Sequence, residues 1–168
     1  HDEFFAKHQL NYLADIVRIL HYTGKRGKTN GRVLLIDAGA ACQGYASDIT
    51  RTWTSKSCDA TFRDLVHGMD ELQQALCDAV RPGRRYLDLH LEAHTRIAEL
   101  LRSVGVLRVS AEEACEQGLT RPFFPHGLGH FLGLQVHDVA GHQKSPSGGK
   151  VAPPSEHPYL RTTRTIEE

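Results

Sequence analysis

Two aspartates and three histidines have the residue types and spacing from which a metal-dependent hydrolytic site can be built. Asp37 closes a dense apolar run, and Asp48 lies eleven positions later in a second stretch of strand character. Across a hairpin that spacing can set both carboxylates on one face of a sheet. Two buried carboxylates repel, and one must take a proton unless a cation sits between them. His126, His130 and His137 fall within twelve residues, with Asp138 directly after them. The His126-to-His130 interval is that of helical zinc sites, but no glutamate adjoins His126 and glycines at 127, 129 and 133 disfavour a helix. A strand or a tight loop presents His130 inward more readily. Mixed carboxylate and imidazole donors suit manganese, cobalt, iron or zinc. Taken singly, each aspartate is more often a turn or capping residue, and each histidine more often a satisfied, half-buried one.

The elements that must position these groups can be read from periodicity and turn signals. Val33-Leu-Leu-Ile36 reads as a buried strand running into Asp37, and Tyr45 to Trp53 as its antiparallel partner after a turn bracketed by Gly39 and Gly44. Leu65, Met69, Leu72, Leu76 and Val80 mark a helix closed by Pro82-Gly83. A second helix is expected from about Asp88, with Leu91, Ile97, Leu100, Leu101 and Val104 inward and Gly105 as its stop. Ser110-x-x-Glu113 has the form of a capping box opening a short third helix. Upstream, a helix to about Leu13 is followed by a strand from Asp15 to Tyr22, and Gly24 to Gly31 reads as a polar loop. Gly141 to Pro158, with four prolines and three glycines, reads as a loop. A hairpin, paired helices and further strand define an α+β domain.

The composition narrows the function. Twenty basic residues balance twenty acidic ones, so the formal net charge is zero and nucleic acid is not expected as a partner. No apolar run approaches the roughly 20 residues that span a bilayer, so no membrane association is expected, and no secretory signal is seen. Cys42, Cys58, Cys77 and Cys115 form no CxxC pair and read as reduced thiols of a cytoplasmic protein. The chain starts at His1 and has a single methionine, Met69, so it reads as part of something longer.

Four stretches together resemble a known family: Leu35-Ile-Asp-Ala-Gly-Ala40, Gly44-Tyr-Ala-Ser-Asp-Ile-Thr-Arg-Thr-Trp53, Pro125-His-Gly-Leu-Gly-His-Phe-Leu-Gly-Leu-Gln-Val-His-Asp138 and His157-Pro-Tyr-Leu-Arg161. They closely resemble bacterial Xaa-Pro dipeptidases (prolidases), enzymes of the pita-bread, or creatinase/aminopeptidase, fold. The resemblance runs from Ile19 to about Ile166, and members with organophosphorus-anhydrolase activity look equally similar. It implies two divalent metal ions, manganese first with cobalt or zinc as alternatives, and dipeptides with C-terminal proline as substrates. It also implies a homodimer in the full-length enzyme. By motif position Asp37 would bind one metal, Asp48 would bridge both, and His130 would bind the other. His137 would contact substrate at the scissile bond. His126 and His21 would line the pocket, and Arg161 would pair with the dipeptide carboxylate.

The resemblance further implies two ligand glutamates. Glu167, in Thr165-Ile-Glu-Glu168, has a similar context. A gapless count from Val136-His-Asp138 through Arg161 places it in the turn before the ligand strand instead. Both glutamates are therefore expected beyond Glu168, and the family's separate N-terminal domain is not expected within these residues. The 168 residues read as one partial catalytic domain. Alone, they are expected to bind metal weakly or singly and to hydrolyse little. A metal-free peptide- or protein-binding module of the same fold is the alternative, against which Asp37, Asp48, His130 and Arg161 together speak. A third arrangement would complete the site from another chain.

Overall fold

In the computed structural model residues 32–167 are described; the expected helix and strand before Tyr22, the loop 24–31 and His21 lie outside them. Strand β1 (Val33–Ala38) pairs antiparallel with β4 (Ile49–Thr54), placing Asp37 opposite Thr50. Between them β2 (Ala41–Cys42) pairs with β3 (Tyr45–Ala46). Both pairings keep one register, so the four pieces form a single long hairpin rather than two uninterrupted strands. Its tip is Gln43-Gly44, with φ of 52° and 87°. Two successive positive φ values define the tight hairpin turn whose twist matches the flanking strands. The expected second strand breaks at Ser47-Asp48. There Ser47 N donates to Ala40 O at 2.7 Å and Ala40 N donates to the Ser47 hydroxyl at 3.0 Å. Gly39 lies so close to the Ser47 carbonyl that a side chain has no room.

Helix α1 (Ala60–Ala79) begins five residues before the expected apolar series, because Asp59 caps it by accepting from Phe62 N. Leu72 and Leu76 are buried and Leu65 packs against the core, whereas Met69 and Val80 are exposed. Helix α2 (Tyr86–Ser103) ends where expected, with Gly105 at φ 77°. Its buried stripe is Leu89, His90, Ala93, His94, Ile97, Ala98 and Leu101, while Leu91 faces out. Helix α3 (Ala111–Glu116) starts at Ser110, whose hydroxyl accepts from Glu113 N at 3.1 Å. The expected loop after Gly141 contains a small hairpin, β5 (Gln143–Ser145) with β6 (Gly148–Lys150).

The core joins Leu72 and Leu76 of α1 to Ala93, Ile97 and Leu101 of α2, with Leu107, Phe124 and Leu128 packed on it. Each fully buried leucine contributes about 1.5–3 kcal/mol. The chain then returns across the start of α2: Tyr86 N donates to Arg164 O and Ile166 N to Arg84 O, both at 2.8 Å. This return fixes residues 160–166, with Leu160 and Thr162 each 1% exposed. The hairpin is different, with apolar Leu35 and Trp53 61% and 49% exposed.

Candidate metal centre

The residues from Phe131 to Asp138 fold into a tight loop, not a helix or strand. Asp138 N donates to Phe131 O at 3.0 Å, closing the loop. The Asp138 carboxylate accepts from Ala140 N at 2.8 Å and heads a short 3₁₀ turn, Val139–His142. It also packs directly on Gly133, so a side chain at Gly133 would meet it. Asp138 is thus a structural residue. The loop brings His137 back onto His130, with ring centroids 4.3 Å apart and planes at 84°. Gly133 O accepts from Ala46 N at 2.9 Å, which docks the loop against the hairpin just ahead of Asp48.

Asp48, His130 and His137 each offer a ligand atom, and the three atoms lie within 4.8 Å of one another. His130 Nε2 is 3.0 Å from Asp48 Oδ2, and His130 Nδ1 is 3.1 Å from Phe131 O. Both neighbours are acceptors, and a neutral imidazole carries one N–H. When Nδ1–H donates to the carbonyl, the Nε2 lone pair faces a carboxylate oxygen. That contact calls for a proton or a cation. Carboxylate and imidazole donors of this kind fit a borderline divalent metal, with the Nδ1–H bond setting the tautomer as in many metal sites. Desolvation, the Arg161 guanidinium and His130 set the exposed His137 imidazole below its ordinary range, against the pull of Asp48. A neutral His137 can accept a proton or a hydrogen bond. Arg161 is therefore felt at the same place, and its carbonyl packs on Gly141.

The other expected residues fall elsewhere. Asp37 shares the face of Asp48 by register, but its Oδ1 accepts from the Thr50 hydroxyl at 2.9 Å and it stands outside the three-donor group. His126 does not join His130. It lines a separate cavity of about 310 Å³, with its ring 6.4 Å from that of Tyr159. That cavity also holds His90, His94 and His157, a second group of three donors within 4.8 Å. This trio is not among the site residues expected from the sequence. Its signal is the four-residue interval between His90 and His94 inside a helix, obscured when Leu91 is taken as inward.

The donor group can hold a metal ion, and the chain belongs to metallopeptidase family M24, which residues 13–165 match. The family uses divalent metals, and the fold is of the pita-bread class expected from the sequence. Among curated relatives, the Xaa-Pro dipeptidase of Stenotrophomonas maltophilia (strain R551-3) is 48% identical over 151 residues, 89% of this chain and 34% of that protein. The Xaa-Pro dipeptidase of Shewanella amazonensis is 49% identical over 150 residues, 88% of this chain and 34% of that protein. A zinc-substituted Escherichia coli aminopeptidase P in complex with product is 32% identical, with a TM-score of 0.67, covering 89% of this chain and 31% of that one. The chain thus spans about a third of the length of the curated relatives it matches.

Proposed function

We propose that this chain is part of the catalytic domain of an Xaa-Pro dipeptidase that hydrolyses dipeptides ending in proline. The observation that carries this reading is the facing of His130 Nε2 and Asp48 Oδ2 across 3.0 Å, with His137 beside them. In this reading Asp48 and His130 hold divalent metal, Asp37 joins them by releasing Thr50, and glutamates outside these residues complete a pair of ions. Manganese is the first choice, with cobalt or zinc as alternatives. Bound metal would lower the pKa of a coordinated water and stabilise negative charge developing on the amide oxygen.

The chain's own groups supply the rest. His137, held neutral, hydrogen-bonds the substrate at the scissile amide, and the Arg161 guanidinium grips the dipeptide carboxylate through two parallel N–H bonds. His21 lines the substrate side of the pocket, while His126 faces the separate cavity of His90, His94 and His157. In this reading the working protein is a cytoplasmic homodimer that engages neither nucleic acid nor membrane. The full-length enzyme should cleave a simple Xaa-Pro dipeptide with manganese present, on the order of 1–10³ per second. A polypeptide of these 168 residues alone should not. Manganese-dependent turnover that survives in the Asp48→Asn enzyme would refute the reading.

A further inference from the structure

His90 and His94 stand one turn apart on the inward face of α2, only 2% and 5% exposed. His157 reaches them from the loop before Leu160. His90 Nε2 and His157 Nδ1 are 3.0 Å apart, and the His90 ring lies edge-on to both other rings, at 4.7 Å from His94 and 4.5 Å from His157. Three neutral imidazoles carry three N–H groups and three lone pairs. His94 Nδ1 meets the buried Thr120 hydroxyl at 2.8 Å, leaving Nε2 as its other nitrogen. The His90–His157 contact uses one N–H and one lone pair. His90 Nδ1 is buried without any partner among the described residues. An ion on His90 Nε2 would leave this nitrogen as a buried N–H, so the case for a metal rests on three donor atoms that lie within 4.8 Å of one another.

We propose that His90, His94 and His157 form a second, mononuclear metal site for a nitrogen-preferring divalent ion, zinc above all, separate from the Asp48–His130–His137 centre. Two histidines four apart on one helical face make a common chelating pair, here on a regular helix. Tetrahedral zinc with Zn–N near 2.0–2.1 Å keeps its donor nitrogens roughly 3.3 Å apart, close to the 3.0 Å between His90 and His157. The Thr120 hydroxyl orients His94 as an outer-sphere partner does at known sites. Phe124 closes the apolar side, 5.6 Å from His90 and 5.2 Å from His94. The fourth position opens into the 310 Å³ cavity, whose wall carries Arg121 and Glu156. Arg121 opposes a bare cation, so the open position favours an anionic ligand such as hydroxide or a carboxylate. An all-imidazole set discriminates against manganese, magnesium and calcium, which prefer oxygen.

The site would also act as a clasp. His157 opens the turn in which Leu160 N donates to His157 O at 3.1 Å, and Arg161 follows directly. An ion joining His157 to α2 fixes the segment that delivers Arg161.

The test uses the full-length protein carrying Asp48→Asn and His130→Gln, which weakens the other centre, titrated with cobalt(II) as the spectroscopic probe. One cobalt per chain should bind with the visible absorption of a four-coordinate nitrogen site, resist excess manganese and yield to zinc. Adding His157→Gln, which alters only the loop member, should lower cobalt affinity at least tenfold, as should His94→Gln. Circular dichroism checks that each variant is folded. Cobalt binding unchanged by His157→Gln in a folded protein, or displaced by manganese, would overturn the proposal, as would no cobalt bound at all. These outcomes are independent of dipeptide hydrolysis by the unmutated enzyme.

Discussion

Gly127→Ala tests how the segment carrying Arg161 is seated. The backbone at Gly127 lies outside the left-handed region, so alanine brings no dihedral strain there. Its β-carbon would stand 2.7 Å from Leu160 Cα, 3.1 Å from Leu160 Cδ1 and 3.1 Å from Tyr159 O. Two of these three are main-chain atoms, so no rotamer change removes the overlap. The segment must retreat by roughly 1 Å to restore carbon contacts near 3.5–4.0 Å. Overpacking of this kind costs about 1–3 kcal/mol, and alanine recovers about 0.4–1 kcal/mol by restricting the unfolded chain. The expected net loss is about 1–2 kcal/mol, or about 2–8 °C in a domain of this size. Scanning calorimetry of the full-length protein measures it. Because Arg161 follows Leu160, KM for Xaa-Pro dipeptides should rise while kcat changes less. An unchanged or raised midpoint with an unchanged KM would refute this account of the packing.

Leu89→Ala, at a side chain with no solvent exposure, should destabilise by about 2–5 kcal/mol in urea unfolding; a loss below about 1 kcal/mol would show that the site collapses freely. Arg161→Lys in the full-length enzyme should chiefly weaken dipeptides with a free carboxylate, since the two-pronged bond is lost; an equal loss on an amidated substrate would assign the arginine another role. Burial, with neighbouring imidazoles and Arg121, pushes His90 and His94 down to about 4 from 6.5. The unfolded chain therefore binds more protons between those values, so with chelator present stability should be intact above about pH 6.5 and fall progressively toward pH 4. A flat urea midpoint across that window would contradict it. Calorimetry should find manganese binding to full-length protein weakened at least tenfold by His130→Gln; undiminished binding would place the ion elsewhere.

The sequence was most legible where local chemistry alone decides the outcome. Gly105 and Ser110 each act within a turn of chain and sit as expected; the apolar run into Asp37 forms the expected strand but not a buried one, with Leu34 and Leu35 56% and 61% exposed. Asp59 was equally local, but it stands ahead of the apolar series and escaped a reading keyed to periodicity. The face of α2 was misjudged because two histidines take positions that hydrophobicity would give to leucine, which turns Leu91 outward. The β5–β6 hairpin hid behind prolines and glycines that usually mark a loop. Of the expected site residues, Asp48, His130 and His137 come together, whereas Asp37, expected as a metal ligand, stands outside that group. Motif order could not show that His126, four residues from His130, points into a different cavity. That depends on the close approach of Gly127 to Leu160, a contact with no trace in local pattern.

The bond between His130 and Asp48 joins residues 82 positions apart, and that separation bears on the order in which the protein assembles. Closing so long a loop costs chain entropy before any contact rewards it, whereas α1 and α2 can pair through a six-residue link as soon as both are formed. Contacts of high contact order form late. The hairpin, with Leu35 and Trp53 uncovered, gains little from docking early. Metal competence should therefore be among the last properties acquired during refolding, trailing the recovery of helical signal. An ion added at the start would not hasten the helices, but it would trap the closed loop once it forms.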